Sequence, residues 1–244
     1  MRVAVPVAGL HRGGPALERE LLLGEPFLVL EEADGQSFGM AELSGYVGTV
    51  ASAALSDWVE PTHVVMVRAT FGFSQASIKV PGPVSLSLGS RVSAVGEEGR
   101  FLRSAEGWFL PKAHLAPLEP VESDPVAVAE RLLGTPYLWG GNSAFGIDCS
   151  GLVQAGLRAC GQLCPGDSDQ QLRALGQPVP EGEAAQRGDL MFWKGHVAWV
   201  ADPETLLHAN AYHMAVAYEP LREAIARIEA QGDGPVIGHK RLTS

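Results

Sequence analysis

The chain has 244 residues, 46% of them hydrophobic and 19% charged, which suffices for two or three small domains, each with its own core. A formal charge of −10 argues against nucleic acid or anionic membrane surfaces as partners, since both need a basic face, and weighs against tight binding to an anionic cell wall. No apolar stretch approaches the length that crosses a bilayer.

In chain order, Met1-Arg-Val-Ala-Val-Pro-Val-Ala-Gly-Leu10 carries one basic residue and a short apolar run broken by Pro6. A secretory leader needs a longer unbroken run and a small-x-small cleavage site, so this stretch reads as a first strand and the expected compartment is the cytoplasm. Residues 1–120 hold a faint repeat. Leu23-Gly-Glu-Pro-Phe-Leu-Val-Leu30 parallels Leu88-Gly-Ser-Arg-Val-Ser-Ala-Val95, and Gly45-Tyr-Val-Gly-Thr-Val-Ala51 parallels Gly107-Trp-Phe-Leu-Pro-Lys-Ala113. Short strands broken by glycine turns predict a small all-β barrel for each copy. Units of this kind resemble bacterial SH3-like domains, which divides the chain into 1–58, 59–120 and a third domain, 121–244. Trp58–Ala69 reads as a linker running into the second copy, and Pro117–Pro125 as the next linker.

Asp124-Pro125 then predicts a helix over Val126–Leu133, with Asp as N-cap, Pro at the first position and Gly134 as stop. The most informative stretch follows: Tyr137-Leu-Trp139-Gly-Gly-Asn-Ser-Ala-Phe-Gly-Ile-Asp148-Cys149-Ser150-Gly-Leu-Val. Val153, Leu157 and Cys160 recur at helical spacing before Gly161. Cys149 therefore opens a helix, where unpaired N–H groups and the positive end of the macrodipole favour a thiolate. Cys160 and Cys164 read as two reduced core thiols, in keeping with a reducing compartment.

Gly195-His196-Val-Ala-Trp-Val-Ala and Leu206-Leu-His208-Ala-Asn-Ala read as strands joined by the turn Asp202-Pro-Glu. Paired as a hairpin they set two histidines side by side. A thiolate nucleophile needs a base, and the base needs a third polar group to fix its tautomer. Cys149, His196 and His208 supply these parts. Leu221–Ala230 has Leu221, Ile225 and Ile228 on one face and reads as an amphipathic helix with its charges in solvent. Pro235–Leu242 reads as a final edge strand, leaving His239 a surface residue. No cofactor and no metal ligand set is apparent.

Taken together, Tyr-x-Trp-Gly-Gly, Asp-Cys-Ser-Gly-Leu, Pro165-Gly-Asp167-Ser168-Asp-Gln-Gln171, Gly188-Asp-Leu-Met-Phe-Trp and Gly-His-Val resemble an NlpC/p60 cysteine peptidase. The resemblance covers residues from about 124 onward. It implies an α+β, papain-like domain behind the two barrels, and cleavage of murein tripeptides or tetrapeptides at the γ-D-glutamyl–diamino acid bond. It also implies Cys149 as nucleophile, His196 as base, His208 as orienting residue and Tyr137 as oxyanion donor. Trp139, Asp167 and Ser168 count with it as substrate-binding positions. The Pro-Arg-Asp usual in the family is Pro165-Gly166-Asp167 here.

Two residues bear on substrate selection. Asp148 either caps the helix or, as in relatives with SH3-like domains, meets with Ser150 the free α-amine of an N-terminal L-alanine. Tyr46 either fills a barrel core or closes that same pocket. The second pair of readings implies recycling of released peptides in the cytoplasm. Two rivals remain: a secreted endopeptidase acting on intact wall, and a non-catalytic scaffold built on SH3-like barrels.

Overall fold

A computed structural model describes residues 1–119 and 122–242. The chain folds into two compact units, one of residues 1–121 with 139–145, the other of 122–138 with 146–244.

The first unit is all-β. Strands Val7–His11, Leu17–Leu22, Phe27–Ala33, Gln36–Ala41 and Tyr46–Ala51 form one antiparallel sheet in which Tyr46–Ala51 lies between Val7–His11 and Gln36–Ala41. Alternation decides which face is buried: Tyr46, Gly48 and Val50 turn inward and Val47 and Ala51 outward, the period-2 signature of a half-buried strand. Val3, Leu10, Leu21, Phe27 and Val50 form the core on the inner side.

The faint repeat in the sequence is a repeat in space. Arg2–Val3 pairs with Leu55–Ser56, and His63–Val65 pairs with Leu115–Pro117. Gly24 and Gly89 both turn at positive φ, +78° and +86°, and their N–H groups donate to Val3 O at 2.8 Å and Val65 O at 2.9 Å. Only glycine holds that backbone without a Cβ penalty, so the same residue recurs. A bulge interrupts the following strand in each copy, at Val29/Glu31 and at Ala94/Gly96. Each copy ends in a single 3₁₀ turn, Ser52–Ala54 and Lys112–His114. In the second copy Val65, Leu86, Val92, Leu110 and Leu115 gather into a core that Leu23 of the first copy completes.

The second unit is α+β. A six-stranded antiparallel sheet runs in the order Gln177–Pro178, Gly238–Arg241, Leu190–Trp193, His196–Asp202, Thr205–Asn210, Ala215–Pro220. The C-terminal strand is therefore not an edge, because it bonds to neighbours on both sides. His239 is correspondingly not a free surface residue: its Nε2 lies 2.8 Å from Asp189 Oδ2, and Arg241 Nε donates to Asp189 Oδ1 at 2.8 Å. Asp189 is only 1% exposed, and a buried carboxylate needs such partners; no local pattern announces that a residue 50 positions away requires one.

Among the described residues four helices accompany the sheet: Pro125–Glu130, Cys149–Ala159, Ser168–Ala174 and Leu221–Gln231. Asp124 caps Pro125–Glu130 by accepting from the Val126 and Ala127 N–H groups at 2.9 and 3.1 Å. The helix stops at Glu130, earlier than its periodicity suggests, because the chain winds into turns ahead of Gly134. Cys149–Ala159 packs on it and on the strands carrying His196 and His208. Gly156 makes the helix contact possible, since a Cβ there would sit 2.5 Å from Pro125 O. Gly156→Ala should destabilise the unit by about 2 kcal/mol, the cost of overpacking a rigid backbone contact, despite alanine's better helix propensity. Chemical denaturation measures it, and unchanged stability would mean that the helices do not meet there. The last helix, Leu221–Gln231, lays Ala224 and Ile228 on Met191, Trp193, Ala198, Val200 and Leu206.

Candidate active site

Cys149 is the first residue of its helix and 7% exposed. Asp148 caps that helix: its Oδ1 accepts from the Gly151 N–H at 2.6 Å and from the Ser150 hydroxyl at 3.0 Å. Capping, one of the two roles open to Asp148, is thus present, and Ser150 braces the same oxygen. Gln171, fully buried, donates to Ser150 O and Pro165 O at 2.9 Å each, fastening the Cys164–Gly166 loop to the start of the helix. Asp167 precedes the helix Ser168–Ala174 without a side-chain cap bond and accepts from Gln170 Nε2 at 3.3 Å. The thiols of Cys149, Cys160 and Cys164 are unbridged. Cys164 is buried, but Cys160 sits half-buried at the helix end, not in the core. Burial, then the Glu122 and Asp124 carboxylates, push the Cys160 thiol up, away from reactivity.

The two histidines leave the same face of a hairpin. Trp199 pairs with Leu207, so Ala198 stands opposite His208 and His196 is its diagonal neighbour. His196 Nε2 lies 2.9 Å from His208 Nδ1, and His208 Nε2 lies 3.0 Å from Glu219 Oε2. His208 pairs with Ala217, which places Glu219 diagonally across on the next strand. Arg227 then grips both oxygens of Glu219, from Nε and Nη2 at 2.7 Å each. Its guanidinium stacks 4.4 Å from the centre of the Tyr212 ring. Arg227 is therefore not part of a solvated helix face: its side chain is 16% exposed, drawn inward by a carboxylate that sequence periodicity does not place.

Electrostatics follow from this packing. Burial, then His208 and Arg227, hold His196 down at about 3. Burial also lowers His208, against the opposing pull of Glu219. Burial alone would raise Glu219, but Arg227 and His208 outweigh it and hold the carboxyl at about 2. Both imidazoles are neutral near pH 7. An unfolded chain titrates its histidines near 6.5, so below that pH it binds protons that the native state refuses. Stability should be fully present above about pH 6.5 and fall as the pH drops toward 3. Urea titrations at a series of pH values test this, with stability flat between pH 7 and 4.5 as the contrary result.

Tyr137 is half-buried, and its N–H donates to Met214 O at 2.9 Å. Burial, then the negative charges of Cys149 and Asp148, push its phenol well above the ordinary range, so it keeps its proton and can donate it. Tyr137 and His196 line one cavity of about 170 Å³, with Lys194, Tyr212 and Asp233 on its walls. Tyr137 thus neighbours both the helix start and His196. Among the described residues, His208, His213 and Glu219 bring ligand-type atoms within 4.8 Å of one another, a grouping the sequence does not reveal. Both ring nitrogens of His208 are already engaged and Glu219 is bound by Arg227, so the cluster is committed to its own hydrogen bonds.

The remaining positions that the sequence reading offers for substrate binding, Trp139 and Tyr46, lie in the first unit. Trp139, 73% exposed, belongs to the segment 139–145, where Glu20 N–H donates to Gly140 O at 2.8 Å and Asn142 N–H to Glu20 Oε2 at 3.0 Å. Tyr46 is 6% exposed among the core residues of the first copy, with the Arg19 guanidinium 5.2 Å from its ring centre and donating to its hydroxyl at 3.1 Å. Glu219 and Arg227 are the site residues that sequence reading missed; the only available signal was their spacing, an i, i+8 acid–base pair across a strand–helix junction.

Comparison with known proteins places these features in context. Residues 134–230 match the NlpC/P60 family. Over 139 residues the chain is 32% identical to the gamma-D-glutamyl-L-lysine dipeptidyl-peptidase of Bacillus cereus, covering 54% of this chain and 41% of that protein. Over 221 residues it is 28% identical to dipeptidyl-peptidase 6 of Lysinibacillus sphaericus, covering 78% and 79%. The matched region thus spans less than half of the first relative and about four-fifths of the second. A crystal structure of an NlpC/P60 family protein from Bacillus cereus aligns with a TM-score of 0.82 at 20% identity, over 100% of this chain and 99% of that one, a likeness of fold.

Proposed function

We propose, from the premise that this chain carries a papain-like NlpC/P60 domain at residues 134–230, that it is a cysteine peptidase acting on peptidoglycan-derived peptides. The observation that carries this is the neutral, hydrogen-bonded pair His196–His208, whose His196 lines a cavity together with Tyr137, the residue that also feels the charge of Cys149. The relatives' names support the substrate class, and we take the scissile bond to be that between γ-D-glutamate and a diamino acid.

In this reading Cys149 Sγ loses its proton to His196 and attacks the γ-carbonyl carbon. The oxyanion is held by the Cys149 N–H and the Tyr137 hydroxyl, each such donor being worth about 3 kcal/mol. The C–N bond breaks as His196 returns the proton to the leaving amine, giving a thioester. Water, deprotonated by His196, then releases the acyl dipeptide and restores the thiol.

Selection rests on Asp148. Its carboxylate, braced by Gly151 N–H and Ser150, is the group we take to meet the α-ammonium of an N-terminal L-alanine. A peptide whose alanine nitrogen is still an amide brings no ammonium to this carboxylate and forgoes a charge-assisted hydrogen bond, so such peptides are disfavoured. The two β repeats are taken as SH3-like domains of residues 1–58 and 59–120. Unbridged thiols fit a reducing compartment, so the proposed role is recycling of released peptides in the cytoplasm. The test compares L-Ala-γ-D-Glu-meso-diaminopimelate with its N-acetylated form. Hydrolysis of the free peptide should be at least about 100-fold faster, the equivalent of ~3 kcal/mol; equal rates would refute the gate.

A further inference from the structure

We infer that Glu219 and Arg227 form a charge clamp that sets the tautomers of both histidines and so poises His196 as a base, making them positioning residues for Cys149. The inference rests on the reading of Cys149 and His196 as nucleophile and base, but not on the identity of the substrate.

Glu219, gripped by Arg227 through both oxygens, is an anion and can only accept. His208 Nε2, 3.0 Å away, must therefore carry the proton. A neutral His208 then has a bare Nδ1, which can only accept. His196 Nε2, 2.9 Å from it, must be the protonated nitrogen in turn. That leaves Nδ1 of His196 unprotonated, the one ring atom able to take a proton from a thiol. One carboxylate at the far end thus dictates the state of a nitrogen two rings away.

Arg227 supplies the second half. A lone carboxylate behind His208 would favour imidazolium and keep the pair protonated. The guanidinium offsets most of that charge, and burial does the rest. When the Cys149 proton moves to His196 Nδ1, the new positive charge is shared through His208 toward Glu219, as in other acid–base triads in which a buried anion stabilises an imidazolium. Other titratable groups around the pair are His213 in the turn before the Glu219 strand, and Tyr137, Lys194 and Asp233 on the cavity wall. Of these, none is hydrogen-bonded to either histidine in the described contacts, whereas Glu219 is.

The two residues therefore predict shifts of opposite sign. The second-order rate of Cys149 alkylation by iodoacetamide, followed by peptide mass spectrometry to separate it from Cys160 and Cys164, reports thiolate against pH without any substrate. In Glu219→Gln the imidazolium loses its counter-charge. The profile should move to higher pH by about one unit, a tenfold slower reaction at pH 6, with kcat lowered about tenfold and KM unchanged. In Arg227→Gln the Glu219 charge is unmasked, and the profile should move to lower pH. Arg227→Gln leaves the Glu219–His208 bond in place, so it decides the matter if Glu219→Gln does not fold. Profiles that stay put, or that move the same way in both variants, would overturn the clamp. A wild-type protein that alkylates as described yet cleaves no γ-D-glutamyl peptide would overturn the proposed substrate and leave the clamp standing.

Discussion

Cys149→Ala should lower kcat on L-Ala-γ-D-Glu-meso-diaminopimelate by at least about 10³-fold, since removing a covalent nucleophile leaves only binding and oxyanion stabilisation. The fold should survive. Only one sulfur is lost, at a site where the Asp148 cap bonds to Gly151 N–H and Ser150 do not depend on it. A melting temperature within a few degrees of the parent, read by circular dichroism, would separate lost chemistry from lost structure. Turnover within tenfold of the parent would remove Cys149 from the mechanism and with it the enzyme class. Cys160 cannot stand in, because its thiol is pushed up by burial and by neighbouring carboxylates.

The second large effect is expected at the base. His196→Ala should cost about 10³-fold in kcat and His208→Ala about 10²-fold, with the double variant little worse than His196→Ala alone. Groups that act as one unit lose their function together, so their effects are not additive. His208→Ala should also destabilise the protein by about 2 kcal/mol, because it strips a hydrogen bond from the charged, buried Glu219, while His196→Ala should cost less. Steady-state kinetics and urea unfolding on the three variants test this. Additive losses in kcat would mean that the two rings work separately, contrary to the 2.9 Å contact between them.

Much of the second unit was legible because its signals are local. Asp124-Pro125 announces a capped helix, since the side chain that satisfies the first N–H groups is adjacent in the chain. The alternating run from His196 and the turn at Asp202 announce a hairpin, and the hairpin puts both histidines on one face. The repeat at Gly24 and Gly89 was legible for a similar reason, as a left-handed backbone position admits little else. The helix Pro125–Glu130 ran short because periodicity continues through Arg131–Leu133 while the backbone turns.

What escaped was long-range pairing. His239 and Arg241 look like the surface charges of an edge strand until Asp189 is seen beneath them. Arg227 looks like a solvated helix residue until Glu219 turns it inward. The order of side chains along the chain determined the candidates for chemistry: a cysteine at a helix start, two histidines in a hairpin, a tyrosine ahead of them. Only the tertiary structure decided the protonation of those histidines, because the burial that keeps them neutral and the carboxylate that orients them come from elements far apart in sequence. Desolvation and charge pairing act through space over a few ångströms, and no spacing rule along a chain can report them.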